Sequence, residues 1–201
     1  MNSAATAALV AGLIAAGWQS ALSLPSAGGE RVETGSFRSA DGYEESYRIR
    51  LLPVSSFPQI PAAVAAQLDR MRCMIPQTFE AKQPENVIEG AFRAPGSSDW
   101  AALCSVDGKT TLYVFFAGHY DAPEAVRAQA DTLWLGAEPG SRIYGSAWGI
   151  AVERAADLRA SRWLHGAADF DHDAIQDEQL ERSETVRYWR EGTWLALGGS
   201  D

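Results

Sequence analysis

The sequence predicts an α+β fold, a mostly antiparallel sheet with one principal helix and one disulfide. Apolar runs flank the pair Asp107-Gly108, and others flank Glu191-Gly192, which is the pattern of β-hairpins. Residues 62–72 place apolar side chains at helical spacing. The chain contains two cysteines. These three observations together predict the fold class.

The first 23 residues predict a secretory signal peptide. Residues 4–18 are apolar but shorter than the roughly 20 residues that a membrane span needs. Small residues at Ala21 and Ser23 suit cleavage after Ser23. No Lys or Arg precedes Arg31, although export signals normally begin with positive charge, so an uncleaved anchor is the alternative. We expect no stable membrane span in the mature form.

The rest of the chain divides into a lead-in and one domain. Residues 24–42 are rich in Gly, Ser, Ala and Glu without an apolar period, which predicts a flexible lead-in. Residues 43–201 are predicted to form a single α+β domain. Its first strand is indicated by alternating apolar and charged residues over 47–51.

The principal helix follows Pro61, a residue suited to a first helical turn. Val64, Leu68 and Met71 share one face, so that face should pack inward. Apolar residues cover both faces of a strand at 112–116, which places this strand centrally in the sheet.

A disulfide between Cys73 and Cys104 is the simplest use of two cysteines in an exported protein. It would join the end of the helix to the sheet and contribute roughly 3 to 4 kcal/mol. Two cysteines are too few for zinc, and without export both would be buried thiols.

Composition restricts the partners. A net charge of −9 and a pI near 4.8 argue against binding to nucleic acid or to anionic lipid, because both require a basic face. A hydrophobic content of 46% is enough for a core. Seven tryptophans and six tyrosines fit either a sugar- or peptide-binding face or an aromatic core.

The stretch 169–177 carries the main candidate for chemistry, a calcium site. In a calcium loop, side chains at positions one, three, five and nine and the carbonyl at seven face the ion. These positions are occupied by Asp169, Asp171, Asp173, Asp177 and, for the carbonyl, Ile175. Hard oxygen ligands suit calcium rather than zinc.

Two residues depart from this loop pattern. Ala174 occupies the position where such loops usually place Gly for a sharp turn. Leu180 occupies the twelfth position, where a helix-loop-helix hand has Glu. A solvated acidic turn is therefore the alternative interpretation of this stretch.

A family resemblance rests on 87–92, a Gly-containing turn, and 99–103 followed by an apolar strand. This arrangement resembles a single degenerate unit of the FG-GAP, or integrin-type, repeat, and 169–177 is similar to the ion loop of that repeat. In the repeat the ion loop would occupy 93–98, which has no carboxylate here. No tandem period follows, so a propeller is not predicted. The whole chain also resembles small secreted bacterial proteins of unknown function, which implies no activity.

These observations predict a periplasmic or secreted, non-catalytic binding or interaction module. Its partner would be a protein or a glycan, and one calcium ion would stabilise it. Alternatives are a hydrolase that uses the acidic residues and His of 165–177, or a secreted enzyme inhibitor. Neither a Gly-x-Ser-x-Gly pattern nor a Gly-rich phosphate loop occurs. A deep apolar pocket beside His165 or His119 would favour the enzyme, and an exposed aromatic patch would favour the module.

Overall fold

The computed structural model describes residues 29–161 and 170–198, and strands dominate it. The strands are β1 (Arg31–Arg38), β2 (Glu44–Pro53), β3 (Met74–Gln77), β4 (Val87–Gly90), β5 (Asp99–Val106), β6 (Lys109–Phe115), β7 (Glu124–Ala130), β8 (Leu135–Gly136), β9 (Ile143–Ser146), β10 (Trp148–Glu153), β11 (Ala174–Gln179), β12 (Ser183–Arg190) and β13 (Thr193–Leu197). The helices are α1 (Ala62–Arg70) and α2 (Ala155–Ala160), and Val54–Ser56 form a 3₁₀ turn.

The protein is therefore mostly β, which corrects the predicted α+β class. Helical spacing of apolar residues extends over only 9 residues in α1 and 6 in α2. Elsewhere, Gly and Pro turns divide the chain into short segments that pair with one another. The predicted mostly antiparallel sheet with one principal helix and one disulfide is confirmed.

Nine strands form the larger sheet. Its order is β7-β6-β5-β3-β2-β9-β8, with β4 also paired to β5 and β1 to β2. Within this sheet, the paired strands named above run antiparallel, except that β2 and β9 run parallel. The remaining strands form an antiparallel meander, β10-β11-β12-β13.

A strand, β1, lies within the segment 24–42 that the sequence predicts as a flexible lead-in. β1 pairs with β2 along its whole length, from Arg31 opposite Leu51 to Arg38 opposite Glu44. Most β1 side chains are exposed. Backbone hydrogen bonds to β2 thus hold this strand in place. Because β1 has no buried face, its sequence does not alternate between apolar and polar residues.

The core lies on both faces of β5 and β6. Trp100, Ala102 and Cys104 face α1, whereas Ala101 and Leu103 face the four-stranded sheet. β6 alternates in the same way, with Phe115 on the α1 side and Leu112 and Val114 on the other. The prediction that 112–116 is covered on both sides is confirmed, and α1 is one of the covers. The strand is not central in the sheet, because β6 lies next to the edge strand β7.

Helix α1 packs through its predicted face. Val64 and Leu68 are completely buried. The disulfide between Cys73 and Cys104 is present, with a Cα–Cα distance of 5.0 Å. It joins the segment after α1 to β5, as predicted.

Both predicted hairpins form. Asp107 and Gly108 have φ of 50° and 78°, and Glu191 and Gly192 have 49° and 84°. A two-residue turn with positive φ at both positions matches the twist of the flanking strands. The second of these turns forms part of the site described below.

The N-terminal segment predicted as a signal peptide lies outside the described residues. Within 29–161 and 170–198, no helix is long and apolar enough to cross a membrane.

Candidate functional site

Of the residues predicted to form a calcium loop, Ile175 and Asp177 lie in strand β11, and Asp171 and Asp173 precede it. β11 begins at Ala174, which is buried, and Ile175 is paired with Val152 on one side and Arg187 on the other. A strand that is extended and paired on both sides does not curl around an ion. Ala174 is a buried residue of this strand, where no sharp turn requires Gly. Asp169 lies outside the described residues.

Asp173 joins three segments of the backbone. Its carboxylate accepts hydrogen bonds from the backbone N–H groups of Ala91 and Ala155, both at 3.1 Å, and from Arg154 Nη1 at 2.8 Å. Desolvation acts to raise the pKa of Asp173, but these donors outweigh it and the pKa lies below its usual value. Asp173 therefore connects the end of β4 to the start of α2.

Asp177 lies between the two sheets, with its side chain completely buried. Its carboxylate accepts from Trp148 Nε1 at 2.8 Å, from Arg187 Nη2 at 2.8 Å and from Arg127 Nη1 at 3.4 Å. The Arg127 guanidinium also lies 3.9 Å from the centroid of the Trp134 ring. Two guanidinium groups and one indole N–H thus donate hydrogen bonds to this buried carboxylate.

The structure brings Asp171 and His172 together with Tyr188. Asp171 Oδ1 lies 2.6 Å from His172 Nδ1 and accepts from the Tyr188 hydroxyl at 3.1 Å. Hydrogen bonds from His172 and then from Tyr188 lower the pKa of Asp171, and desolvation raises the pKa of Tyr188. The imidazole stacks on the Tyr188 ring with centroids 4.3 Å apart.

Both ring nitrogens of His172 are engaged. Nε2 lies 2.9 Å from the Trp189 carbonyl oxygen, which can only accept, so Nε2 carries a proton and donates it. Nδ1 faces Asp171 and Tyr188. The residue is 7% exposed. His172 therefore orients its neighbours and has no free lone pair for a substrate.

The calcium site stays a prediction. Among the residues that the structure describes, no group of three or more His, Cys, Asp or Glu side chains could hold a metal ion. Asp173 and Asp177, two of the predicted ligands, instead accept hydrogen bonds from protein donors.

Asp171 and His172 line a cleft of about 530 Å³, which we call the Arg93–Arg190 cleft. Its other walls are residues of the β4–β5 loop, Ala117 after β6, and 188–192 at the β12–β13 turn. The Arg93 guanidinium lies over the Phe116 ring at 5.2 Å, and that of Arg190 over the Tyr188 ring at 5.2 Å. The lining thus contains two arginines, three acidic residues (Asp99, Asp171 and Glu191) and aromatic surface.

Sequence reasoning missed the two arginines and the role of Asp99. Asp99 is buried and accepts from the backbone N–H groups of Arg93 and Ala117, both at 2.8 Å, and from the Ser97 hydroxyl. It shapes the loop that forms one wall of the cleft. The predicted β12–β13 hairpin places Arg190 beside a turn, but no local pattern shows which loop approaches that turn.

A second cleft of about 530 Å³ is acidic. Glu80, Glu85, Glu138 and Glu178 line it. Burial, followed by the nearby charges of Glu184, Glu85 and Glu80, raises the pKa of Glu178 above its usual value of 4.5. Glu184 lies directly opposite Glu178 on β12. Like charges at paired positions of a sheet destabilise it.

We expect Glu178→Gln to raise the melting temperature at pH 7 by about 1–3 °C. Because the pKa of Glu178 is raised in the folded state, its protonated form stabilises the fold below about pH 4.5. That stabilisation is lost as the pH rises through the folded-state pKa. The amide that replaces the carboxylate stays neutral at every pH, so the variant does not lose this stability as the pH rises. Thermal unfolding of both proteins from pH 4 to pH 8 measures the difference, which should disappear at the acidic end.

Glu181→Gln is the matched control because it removes the same charge from an exposed turn residue. An equal increase in that control would assign the effect to net charge. A lower melting temperature for Glu178→Gln at pH 7 would contradict the prediction.

Fold and site together define a disulfide-bonded, mostly-β protein with a polar cleft between the β12–β13 turn of the smaller sheet and the β4–β5 loop of the larger one. No protein-family model matches the sequence, and neither a curated protein nor a solved structure shows significant similarity to it.

Proposed function

We propose that the protein is an exported, non-catalytic binding module that takes its partner in the Arg93–Arg190 cleft. The observation that supports this most is the chemistry of the lining. Two guanidinium groups, the exposed Asp171 carboxylate and the half-buried Trp189 converge on one concavity. Concave sites with a few convergent polar groups are typical of ligand binding.

The same lining argues against the hydrolase. A general base needs an available lone pair within hydrogen-bond reach of the substrate. His172 has both ring nitrogens engaged, and Asp173 is covered by its own donors. Asp171 keeps one open oxygen, but hydrogen bonds from His172 and Tyr188 lower its pKa, so its carboxylate is a weak base. His119 is exposed and does not line this cleft, while His165 lies outside the described residues.

Export is supported by the disulfide and by the apolar run near the N-terminus. Disulfides persist in oxidising compartments and are rare in the cytosol. A periplasmic or secreted location therefore fits a bond that joins α1 to the core strand β5.

Protein-observed NMR tests the proposal. The full chain is titrated with four kinds of probe: neutral oligosaccharides, acidic sugars, short peptides with a free C-terminus, and muropeptides. We expect at least one kind to shift amide signals of 93–97 and 188–192. The double variant Arg93→Ala/Arg190→Ala should lose these shifts, and the control Arg142→Ala/Arg182→Ala, at exposed arginines, should keep them.

Ligand signals are followed in the same samples for a day. Formation of a product would identify an enzyme and contradict the proposal. Shifts confined to another surface, or none at the cleft with any of the four kinds of probe, would also contradict it. Added calcium during the titration shows whether an ion contributes.

A further inference from the structure

Resting on the proposed function, we propose that the Arg93–Arg190 cleft binds an acidic sugar, a pyranose that carries a carboxylate. Arg93 and Arg190 carry the positive charge that such a ligand needs. Among the described residues, neither forms an ion pair with a carboxylate, whereas Arg127, Arg154 and Arg187 all do. The cleft therefore contains guanidinium groups that are available to an anion.

Each of these guanidinium groups is positioned by an aromatic ring. Arg93 lies over Phe116 and Arg190 over Tyr188, both at 5.2 Å from the ring centroid. Arg190 also hydrogen-bonds to the Tyr188 side chain, but a guanidinium has five N–H groups, so each arginine keeps an N–H edge for a ligand. That edge matches the two oxygens of a carboxylate in a paired hydrogen-bonding geometry.

The cleft also presents an acceptor for hydroxyl groups. Asp171 Oδ1 is engaged by His172 and Tyr188. No described residue donates to Oδ2, and the side chain is 63% exposed. A ligand hydroxyl can donate to this oxygen and accept from an arginine at the same time.

The volume of the cleft and its aromatic surface also fit a sugar. A volume of about 530 Å³ suits one or two sugar rings, and the half-buried Trp189 in the lining offers apolar surface to the C–H groups of a pyranose. An open acceptor oxygen beside two arginines suits a ligand that has several hydroxyl groups as well as a carboxylate. The lining therefore favours a sugar with a carboxylate over a peptide.

The test compares two ligands that differ in one group. Methyl β-D-glucuronide and methyl β-D-glucoside share ring and hydroxyl groups, but only the first has a carboxylate. The full chain is titrated with each by NMR at millimolar concentrations, and with acetate as an anion without a ring. We expect the glucuronide to shift amides of 93–97 and 188–192 and to bind at least about tenfold more tightly than either comparison ligand.

Variants assign the effect to the cleft. Arg93→Ala and Arg190→Ala should each weaken glucuronide binding about tenfold or more, because each removes a charged hydrogen-bond donor. Arg190→Lys keeps the charge but not the paired geometry and should also weaken binding. Arg142→Ala and Arg182→Ala should stay within about twofold. Unchanged melting temperatures and dispersed spectra show that the variants fold.

Several outcomes would overturn the acidic-sugar assignment. Equal affinity for the glucoside would identify a neutral glycan site, and equal affinity for acetate would identify a simple anion site. In both cases the binding-module proposal stands. No shift with the glucuronide would overturn the assignment as well, while muropeptides, peptides and neutral sugars test the module separately. Conversion of the glucuronide would overturn the non-catalytic proposal itself.

Discussion

Replacing Asp177 with Ala is expected to destabilise the folded protein by about 3–5 kcal/mol, the range for removing one partner of a buried ion pair. The carboxylate is completely buried and accepts from Arg187, Arg127 and Trp148. Its loss leaves two cationic side chains between the sheets without their counter-charge. The variant also creates a cavity where the carboxylate was.

The position of Asp177 explains why the effect should be this large. The residue lies on β11, and its three donors lie on β7, β10 and β12. One side chain thus connects the edge strand of the larger sheet to three strands of the smaller one. An exposed ion pair would contribute far less, about 0–1 kcal/mol.

Urea unfolding at pH 7 in the presence of a calcium chelator measures this prediction. Asp69→Ala is the control, because Asp69 is an exposed carboxylate on α1. Asp177→Asn, which keeps the shape but not the charge, should fall between Ala and the parent protein. A loss below about 1 kcal/mol for Asp177→Ala would contradict the structural role. A large loss seen only with calcium present would assign Asp177 to an ion site instead.

The elements that the sequence predicted have strong local signals. Asp107-Gly108 sits in a two-residue turn whose backbone few other residue pairs tolerate, so the hairpin can be recognised without knowing the rest of the fold. Val64 and Leu68 mark the buried face of α1 by spacing alone. The disulfide followed from there being only two cysteines.

The elements that were missed depend on non-local contacts. β1 has no buried face, so its existence depends on hydrogen bonds to β2 that no local pattern reveals. Alternate aspartates look like ion ligands in sequence. In the structure, Asp173 lies just before β11 and Asp177 lies within it, and both accept hydrogen bonds from distant segments. The cleft is likewise formed by four segments that are far apart in sequence, the first at Arg93 and the last ending at Gly192.

Loss of the disulfide between Cys73 and Cys104 is expected to lower the free energy of unfolding by about 3–4 kcal/mol, from the entropy of a loop of this length. The two cysteines are 31 residues apart. Both are buried in the cluster between α1 and the larger sheet. Most of the effect should come from the unfolded state, because the folded chain already holds these residues together.

Urea unfolding of the parent protein with and without reductant, and of a Cys73→Ala/Cys104→Ala variant, measures this effect. Alanine is preferred to serine because a hydroxyl buried in this cluster would need a hydrogen-bond partner. The reduced protein should also show a steeper dependence on urea, since its unfolded chain is less compact and exposes more surface. Reductant should leave the alanine variant unchanged. Equal midpoints for oxidised and reduced parent protein would show that the bond does not stabilise the fold, and would remove the main structural support for export.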